Sequence, residues 1–292
     1  MFRGSLVALV TPMTESGEVD HVAFGRLLDW HCRQGTDGIV VCGTTGESAT
    51  VDPAETAELL QIAVQRIGGR IPVIAGTGSN STAEAVDRTR AACELGVDGV
   101  LVVTPYYNRP PQEGLYRHFS LVADAASVPL ILYNVPSRTA CDLLPETVER
   151  LAAHPQIIGI KEATGDIGRG AEILARCGDD FLLLSGDDAT CRKLILGGAQ
   201  GVISVTANVA PRLMREMADA ALAGDKALAG ELDDRLAGLH RELFIEPNPI
   251  PAKWALERLG LIGAGIRLPL VWLADLHQGK VLEAMRRAGV IE

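Results

Sequence analysis

The sequence has few of the features by which proteins bind metals, form disulfides or cross membranes. Its six histidines show neither H-x-H nor H-E-x-x-H spacing, so we expect no protein-bound metal. Its six cysteines are scattered without a C-x-x-C pair, and we interpret all of them as reduced, structural thiols. No run of about eighteen uncharged apolar residues occurs, so no membrane-spanning helix is expected.

Basic residues are in the minority as well. The chain has 27 Lys and Arg against 37 Asp and Glu, a net charge of −10, which argues against binding to nucleic acid or to an anionic membrane surface. An anionic substrate would therefore need a local pocket. The first residues lead directly into an apolar run and lack the pattern of a secretion signal, so we expect a cytoplasmic protein.

What the sequence does contain is a regular series of short apolar runs. Each is about five residues long and nearly continuous in hydrophobicity, as is typical of parallel strands buried on both faces. The runs cover residues 6–10, 38–42, 71–75, 99–103, 129–133, 157–160, 181–184 and 201–205. Amphipathic stretches such as His21–Gln34 lie between them.

Helix-start signals support this alternation of strands and helices. Asp52, Pro53 and Glu55 fit the N-cap, N1 and N3 positions of a helix, and residues 81–84 form a potential capping box. The pattern predicts an α/β fold, a (β/α)8 TIM barrel. A doubly wound sheet is disfavoured because residues 11–14 lack a G-x-G-x-x-G turn.

Strand signals stop after the eighth unit. From about residue 225 the pattern predicts helices over 225–244, 250–259 and 269–288, with a proline-rich link at 246–251. We therefore predict a barrel at 1–224 and a C-terminal helical extension at 225–292.

Lys161 is the most informative candidate for catalysis, since barrel enzymes place their chemistry at the carboxyl ends of the strands. It closes the apolar run 157–160, so its amine is expected to point into the barrel mouth. Burial there disfavours the ammonium form and leaves free amine to attack a carbonyl. The alternative is a lysine that pairs with Glu162 or lies solvated at the rim.

Three other residues lie at or just beyond the ends of predicted strands and suit the same chemistry. Tyr133 and Thr44 could pass protons to and from an amine, and the guanidinium of Arg138 suits a substrate carboxylate. The turn at 43–46 offers backbone N–H groups to an anion. The alternatives are that Tyr133 is only an aromatic strand residue, that Thr44 is only a turn residue and that Arg138 forms a surface salt bridge.

These motifs together resemble the dihydrodipicolinate synthase family over nearly the whole chain. Several long motifs in the right order are more specific than any one of them. They are GS at 4–5, VTP at 10–12, GTTGESAT at 43–50, IPVIAGTG at 71–78, TPYYN at 104–108, YNVPSRT at 133–139, IGIKEATG at 158–165, SGDD at 185–188 and EPNPIP at 246–251.

The resemblance implies a lyase that needs no cofactor, in which Lys161 forms an imine with pyruvate. The enamine then attacks L-aspartate 4-semialdehyde, giving 4-hydroxytetrahydrodipicolinate, an intermediate of lysine and diaminopimelate biosynthesis. Thr44, Tyr133 and Tyr107 would form the proton relay. The tyrosine that matches Tyr107 comes from the neighbouring subunit of a tight dimer in this family, and the dimers pair into tetramers.

The resemblance also assigns the binding residues. Thr45 would hold the pyruvate carboxylate and Arg138 the carboxylate of the aldehyde, while backbone groups of Gly186 and Ile203 would line the pocket.

Many members of the family are inhibited by lysine at the dimer interface. The matching positions are Ser48, Ala49, Asn80, Glu84 and Tyr106. Pro53 and Thr56 stand where lysine-sensitive relatives often carry histidines, so we expect weak or moderate lysine sensitivity. Glu84 has a simpler alternative role, as part of the capping box.

Other activities fit the sequence less well. N-acetylneuraminate lyase and 2-keto-3-deoxy-acid aldolases share the barrel and the lysine, but they need several hydroxyl-binding groups where Pro136 and Arg138 suit a short carboxylated aldehyde. A non-catalytic binding protein would be expected to lose Lys161, Tyr133 or Thr44. A metal-dependent aldolase would need clustered histidines.

Overall fold

The computed structural model describes residues 2–292, and its strands form a closed parallel barrel. The strands follow one another around the barrel in chain order, and β8 closes it by pairing with β1. They are β1 (Gly4–Ala8), β2 (Gly38–Val41), β3 (Val73–Gly76), β4 (Gly99–Val103), β5 (Leu130–Asn134), β6 (Ile157–Glu162), β7 (Leu182–Ser185) and β8 (Gly201–Ser204). The predicted TIM barrel is confirmed.

Helices surround the strands and form the C-terminal extension. Those of the barrel are α1 (His21–Gln34), α2 (Pro53–Ile67), α3 (Thr82–Glu94), α4 (Gln112–Ala125), α5 (Pro136–Thr139), α6 (Pro145–Ala152), α7 (Ile167–Cys177), α8 (Cys191–Leu196) and α9 (Pro211–Leu222). Those of the extension are α10 (Lys226–Glu242), α11 (Ile250–Arg258) and α12 (Asp275–Arg287). Among residues 2–292, no helix is both long and apolar enough to cross a bilayer.

The core has two parts, because alternate strand residues point to opposite faces of the barrel wall. One set fills the barrel interior, for example Leu6, Val40, Ile74 and Leu101. The other set packs under the surrounding helices and is continuous with their apolar faces. This alternation decides which strand residues can reach a site inside the barrel mouth.

Strand β6 is longer than its apolar run predicts. The run ends at Ile160, but the strand continues through Lys161 and Glu162, which pair with Tyr133 and Asn134 of β5. Both residues pair with β5 on one side and with β7 on the other, and these backbone hydrogen bonds do not require apolar side chains.

Two predictions at helix starts need correction. The helix predicted from residue 269 begins only at Asp275, since Ala274 is extended and its N–H donates to the Glu246 carboxylate at 3.2 Å. The capping box predicted at 81–84 is only half formed. Ser81 accepts from the Glu84 N–H, but the Glu84 carboxylate accepts instead from the hydroxyl of Ser79 at 2.6 Å. The capping box of Asp52 and Glu55 is complete.

The extension is joined to the barrel by a buried ion pair. Lys253 of α11 and Glu47, just after β2, are both almost completely inaccessible and bond to each other. Burial lowers the pKa of Lys253, and the negative charge of Glu47 opposes that shift. The proposed division at residues 224 and 225 falls in the turn between α9 and α10.

Candidate active site

The cavity at the carboxyl ends of the strands has a volume of about 520 Å³. Its wall comes from the ends of β2, β5, β6, β7 and β8 and from the proline-rich link of the extension. The lining residues are Thr44, Thr45, Tyr133, Val135, Ser137, Arg138, Lys161, Ala163, Gly186, Asp187, Val205, Phe244, Ile245, Glu246, Pro247 and Asn248. Six of the eight residues predicted as catalytic or substrate-binding thus line one cavity.

Lys161 lies at the base of this cavity with 5% of its surface exposed. Its Nζ is 4.3 Å from the centre of the Tyr133 ring, on the neighbouring strand. Pairing with Glu162 is not seen: Glu162 accepts hydrogen bonds from Asn134 and Thr164 instead. Because adjacent strand residues point to opposite faces, the lysine is inside the barrel and the glutamate outside. The amine is therefore available to a ligand in the cavity.

Gly186 makes room for the Lys161 side chain. A Cβ atom at position 186 would lie 2.9 Å from Lys161 Cε and 2.6 Å from the Cβ of Ala163. Real Cβ atoms do not approach other atoms this closely, so any larger residue would displace the lysine stem. The glycine is needed for space beside the amine.

Replacing this glycine is expected to impair the reaction of the lysine. We predict that Gly186→Ala lowers kcat by roughly 100-fold, because displacing a reacting group by about 1 Å costs that much. The measurement is steady-state kinetics with a thermal melt as the control. Gly230→Ala is the matched control, since a Cβ there meets no atom within 4 Å. Wild-type kcat in a folded Gly186→Ala protein would contradict this account.

The turn after β2 presents hydrogen-bond donors to the cavity. The N–H groups of Gly46 and Glu47 bond to carbonyls within the turn. In the described part of the chain, those of Thr44 and Thr45 have no acceptor. Thr45 Oγ1 accepts from Asn248 Nδ2 at 2.9 Å, which leaves the Thr45 hydroxyl proton free to donate elsewhere. These groups together can bind a carboxylate.

Asn248 is a site residue that was not singled out from the sequence. It is buried, it lines the cavity and it holds Thr45, which lies 203 positions earlier in the chain. The available signal was its place between Pro247 and Pro249, because two prolines restrict the backbone around the residue that they flank.

Arg138 lies on the short helix α5 and reaches the same cavity. Its guanidinium makes a single polar contact in the described chain, a long hydrogen bond of 3.5 Å to the carbonyl of Asn248. The surface salt bridge considered as the alternative is not seen among residues 2–292. The guanidinium is therefore free to bind an anion.

Two residues expected at the site lie elsewhere in the single chain. Ile203 is packed in the barrel interior with Tyr133 and Leu184 and does not line the cavity. Tyr107 is 88% exposed, has a positive φ of 73° and does not line the cavity of its own chain either.

Two of the five candidate effector residues line a second cavity of about 300 Å³. Ser48, Glu84, Pro53 and Thr56 line it, whereas Ala49, Asn80 and Tyr106 are not among its lining residues. The hydroxyl of Ser79 and the guanidinium of Arg88 both bond to Glu84 and lower the pKa of its carboxyl.

A parallel barrel that holds a buried lysine amine against a tyrosine ring, beside free anion-binding groups, defines a lyase of the Schiff-base-forming kind. The sequence model of the dihydrodipicolinate synthetase family matches residues 1–288. The chain belongs to this family, and its activity is that of a 4-hydroxy-tetrahydrodipicolinate synthase.

Individual relatives are similar over their full length. The 4-hydroxy-tetrahydrodipicolinate synthase of Methylococcus capsulatus is 58% identical over 291 residues, covering 100% of both chains. The chloride-inhibited dihydrodipicolinate synthase of Acinetobacter baumannii, solved in complex with pyruvate, has a TM-score of 0.98 at 49% identity, with 100% of each chain covered. The enzyme of Cyanidioschyzon merolae, solved with lysine bound, has a TM-score of 0.95 at 39% identity, with 99% of each covered.

Proposed function

We propose that the enzyme condenses pyruvate with L-aspartate 4-semialdehyde through an imine on Lys161. The observation that carries this proposal is the buried Lys161 amine, 4.3 Å from the centre of the Tyr133 ring and without an ion-pair partner among residues 2–292. The pyruvate complex of the Acinetobacter baumannii relative supports the choice of the first substrate.

The amine attacks the ketone carbon of pyruvate and gives a carbinolamine, which loses water to form the imine. Loss of a methyl proton then gives the enamine, whose carbon attacks the aldehyde. The amino group of the second substrate displaces Lys161 by transimination, and this step closes the ring. Tyr133 and Thr44 line the cavity and carry the protons that these steps exchange.

The two carboxylates bind at different walls of the cavity. The pyruvate carboxylate accepts from the Thr45 hydroxyl and from the free N–H groups of Thr44 and Thr45. The carboxylate of the aldehyde binds Arg138, since a planar guanidinium can donate two parallel hydrogen bonds. Backbone groups of Gly186 line the same cavity, and those of Ile203 lie deeper in the barrel.

Tyr107 completes the proton relay from a second subunit. Its ring is 88% exposed in the single chain, and its left-handed backbone is strained for a residue with a side chain. Both features suit a side chain that is presented to another protomer. We propose that the enzyme is a homotetramer built from two tight dimers and that it works in the cytoplasm.

The assay that tests this function couples the reaction to the downstream reductase and follows NADPH loss with both substrates present. Turnover that requires pyruvate and aspartate semialdehyde together is expected. Cleavage of N-acetylneuraminate or of a 2-keto-3-deoxy sugar acid by protein that is inactive in this assay would overturn the proposal.

L-Lysine acts as a weak or moderate inhibitor at the dimer interface, on Ser48, Ala49, Asn80, Glu84 and Tyr106, and Ser48 and Glu84 also line the second cavity. Pro53 and Thr56 offer few polar contacts there, and Glu84 already binds Ser79 and Arg88. The Cyanidioschyzon merolae relative supports lysine as the ligand. In a saturating titration we expect little or partial inhibition, strengthened in the double variant Pro53→His, Thr56→His. Submicromolar inhibition of the wild type would refute the expectation.

A further inference from the structure

The two residues at the centre of the chemistry are each followed by a polar residue that points away from the cavity. Tyr133 and Lys161 pair across strands β5 and β6, and the next pair along the same ladder is Asn134 and Glu162. Since side chains alternate across a strand, Asn134 and Glu162 lie on the outer face of the barrel wall. There they are almost completely buried, at 0% and 3% exposure.

Asn134 uses both ends of its amide to hold this region. Its Nδ2 donates to Glu162 Oε2 at 3.1 Å and to Asp142 Oδ1 at 2.9 Å, and its Oδ1 accepts from the N–H of Leu143 at 3.0 Å. The side chain thus links strand β5 to strand β6 and to the segment before α6.

Glu162 is held equally firmly. Its Oε1 accepts from the N–H of Thr164 at 2.7 Å, and its carbonyl accepts from the N–H of Gly186 at 2.7 Å. Arg169 brings positive charge to the cluster through two hydrogen bonds to Asp142, at 2.9 and 3.0 Å. A buried carboxylate with this many partners has little freedom to move.

We propose that Asn134 and Glu162 are positioning residues, whose hydrogen bond on the outer face of the barrel fixes the Lys161 amine against the Tyr133 ring on the inner face. The inference rests on the proposed role of Lys161. Asn134 is covalently adjacent to Tyr133, and Glu162 is adjacent to Lys161. A shift of β5 against β6 would therefore change both the outer hydrogen bond and the distance between the Lys161 amine and the Tyr133 ring. The hydrogen bond from the Gly186 N–H to the Glu162 carbonyl also fixes the position of Gly186, which makes room for the lysine stem.

The test compares two buried asparagines that each join two strand ends. Asn208 is also 0% exposed, donates to the carbonyls of Ala8 and Val205 at 2.7 and 3.0 Å, and accepts from the N–H of Val10. It joins β1 to β8 and is adjacent to neither Lys161 nor Tyr133. For Asn134→Ala and Asn208→Ala we would measure the melting temperature, kcat, both KM values and the rate at which borohydride traps the pyruvate imine.

We expect both variants to lose thermal stability, but only Asn134→Ala to lose imine chemistry. Its trapping rate and kcat fall by roughly 10- to 100-fold, as expected when reacting groups are misplaced, while KM for the aldehyde at Arg138 stays within about threefold. Equal trapping rates in the two variants would overturn the proposal, because Asn134 would then act on stability alone. If Asn134→Ala does not fold, Glu162→Gln, which keeps the volume but gives up one acceptor, is compared with Asn208→Ala in the same way. Wild-type protein that is not trapped at all would instead refute the proposed function.

Discussion

Replacing Lys161 by alanine is expected to lower kcat/KM in the coupled assay by at least about 10³-fold, because a group that forms the covalent intermediate cannot be bypassed. No other lysine lines the cavity among the described residues. Lys253 is completely buried in its ion pair with Glu47, so its amine is not available to a substrate.

The first control is the thermal stability of the Lys161→Ala variant. Lys161 makes no ion pair among residues 2–292, so its removal should leave the melting temperature within a few degrees of the wild type. A second control is Lys193→Ala, a lysine of α8 outside the cavity, which should keep full activity. A folded Lys161→Ala enzyme that retains wild-type turnover would remove the basis of the mechanism.

Two inactive variants are expected to restore activity when their subunits are mixed. Lys161→Ala and Tyr107→Phe are each impaired alone, but in a mixed tight dimer one site receives an intact Lys161 and an intact Tyr107. Random pairing should give about a quarter of wild-type activity, since about half of the dimers are mixed and each has one complete site. The measurement is activity after co-expression or subunit exchange.

The control mixture separates a shared site from non-specific stabilisation. Tyr133 lines the same cavity as Lys161 within one chain, so mixing Lys161→Ala with Tyr133→Phe subunits should give no rescue. If Tyr107 served its own chain, the first mixture would remain at the sum of its inactive parents.

The sequence predicted the barrel well because the information needed is local. Continuous apolar runs mark buried parallel strands, and the residues after those runs fall at one end of the barrel. Lys161, Tyr133, Thr44 and Arg138 all lie at this end of their strands, and the structure brings all four to one cavity.

The features that sequence reasoning missed depend on contacts between distant residues. Asn248 meets Thr45 across 203 positions, and Asn134 meets Glu162 across 28. The spacing of apolar residues along the sequence gives no information about such long-range contacts. The late start of α12 has the same origin, because the N–H of Ala274 bonds to Glu246, 28 positions earlier. Likewise Tyr107 does not line the cavity of its own chain, and the role that we propose for it depends on a second subunit.

The most direct test of the central claim is to reduce the enzyme with borohydride in the presence of pyruvate and to map the modified peptide by mass spectrometry. Hydride reduction of the imine would leave a stable N-(1-carboxyethyl) group on the lysine nitrogen. We predict this group on Lys161 alone, with loss of activity in proportion to its formation. Inactivation with the group on another lysine, or full activity after complete reduction with no modified peptide, would contradict it.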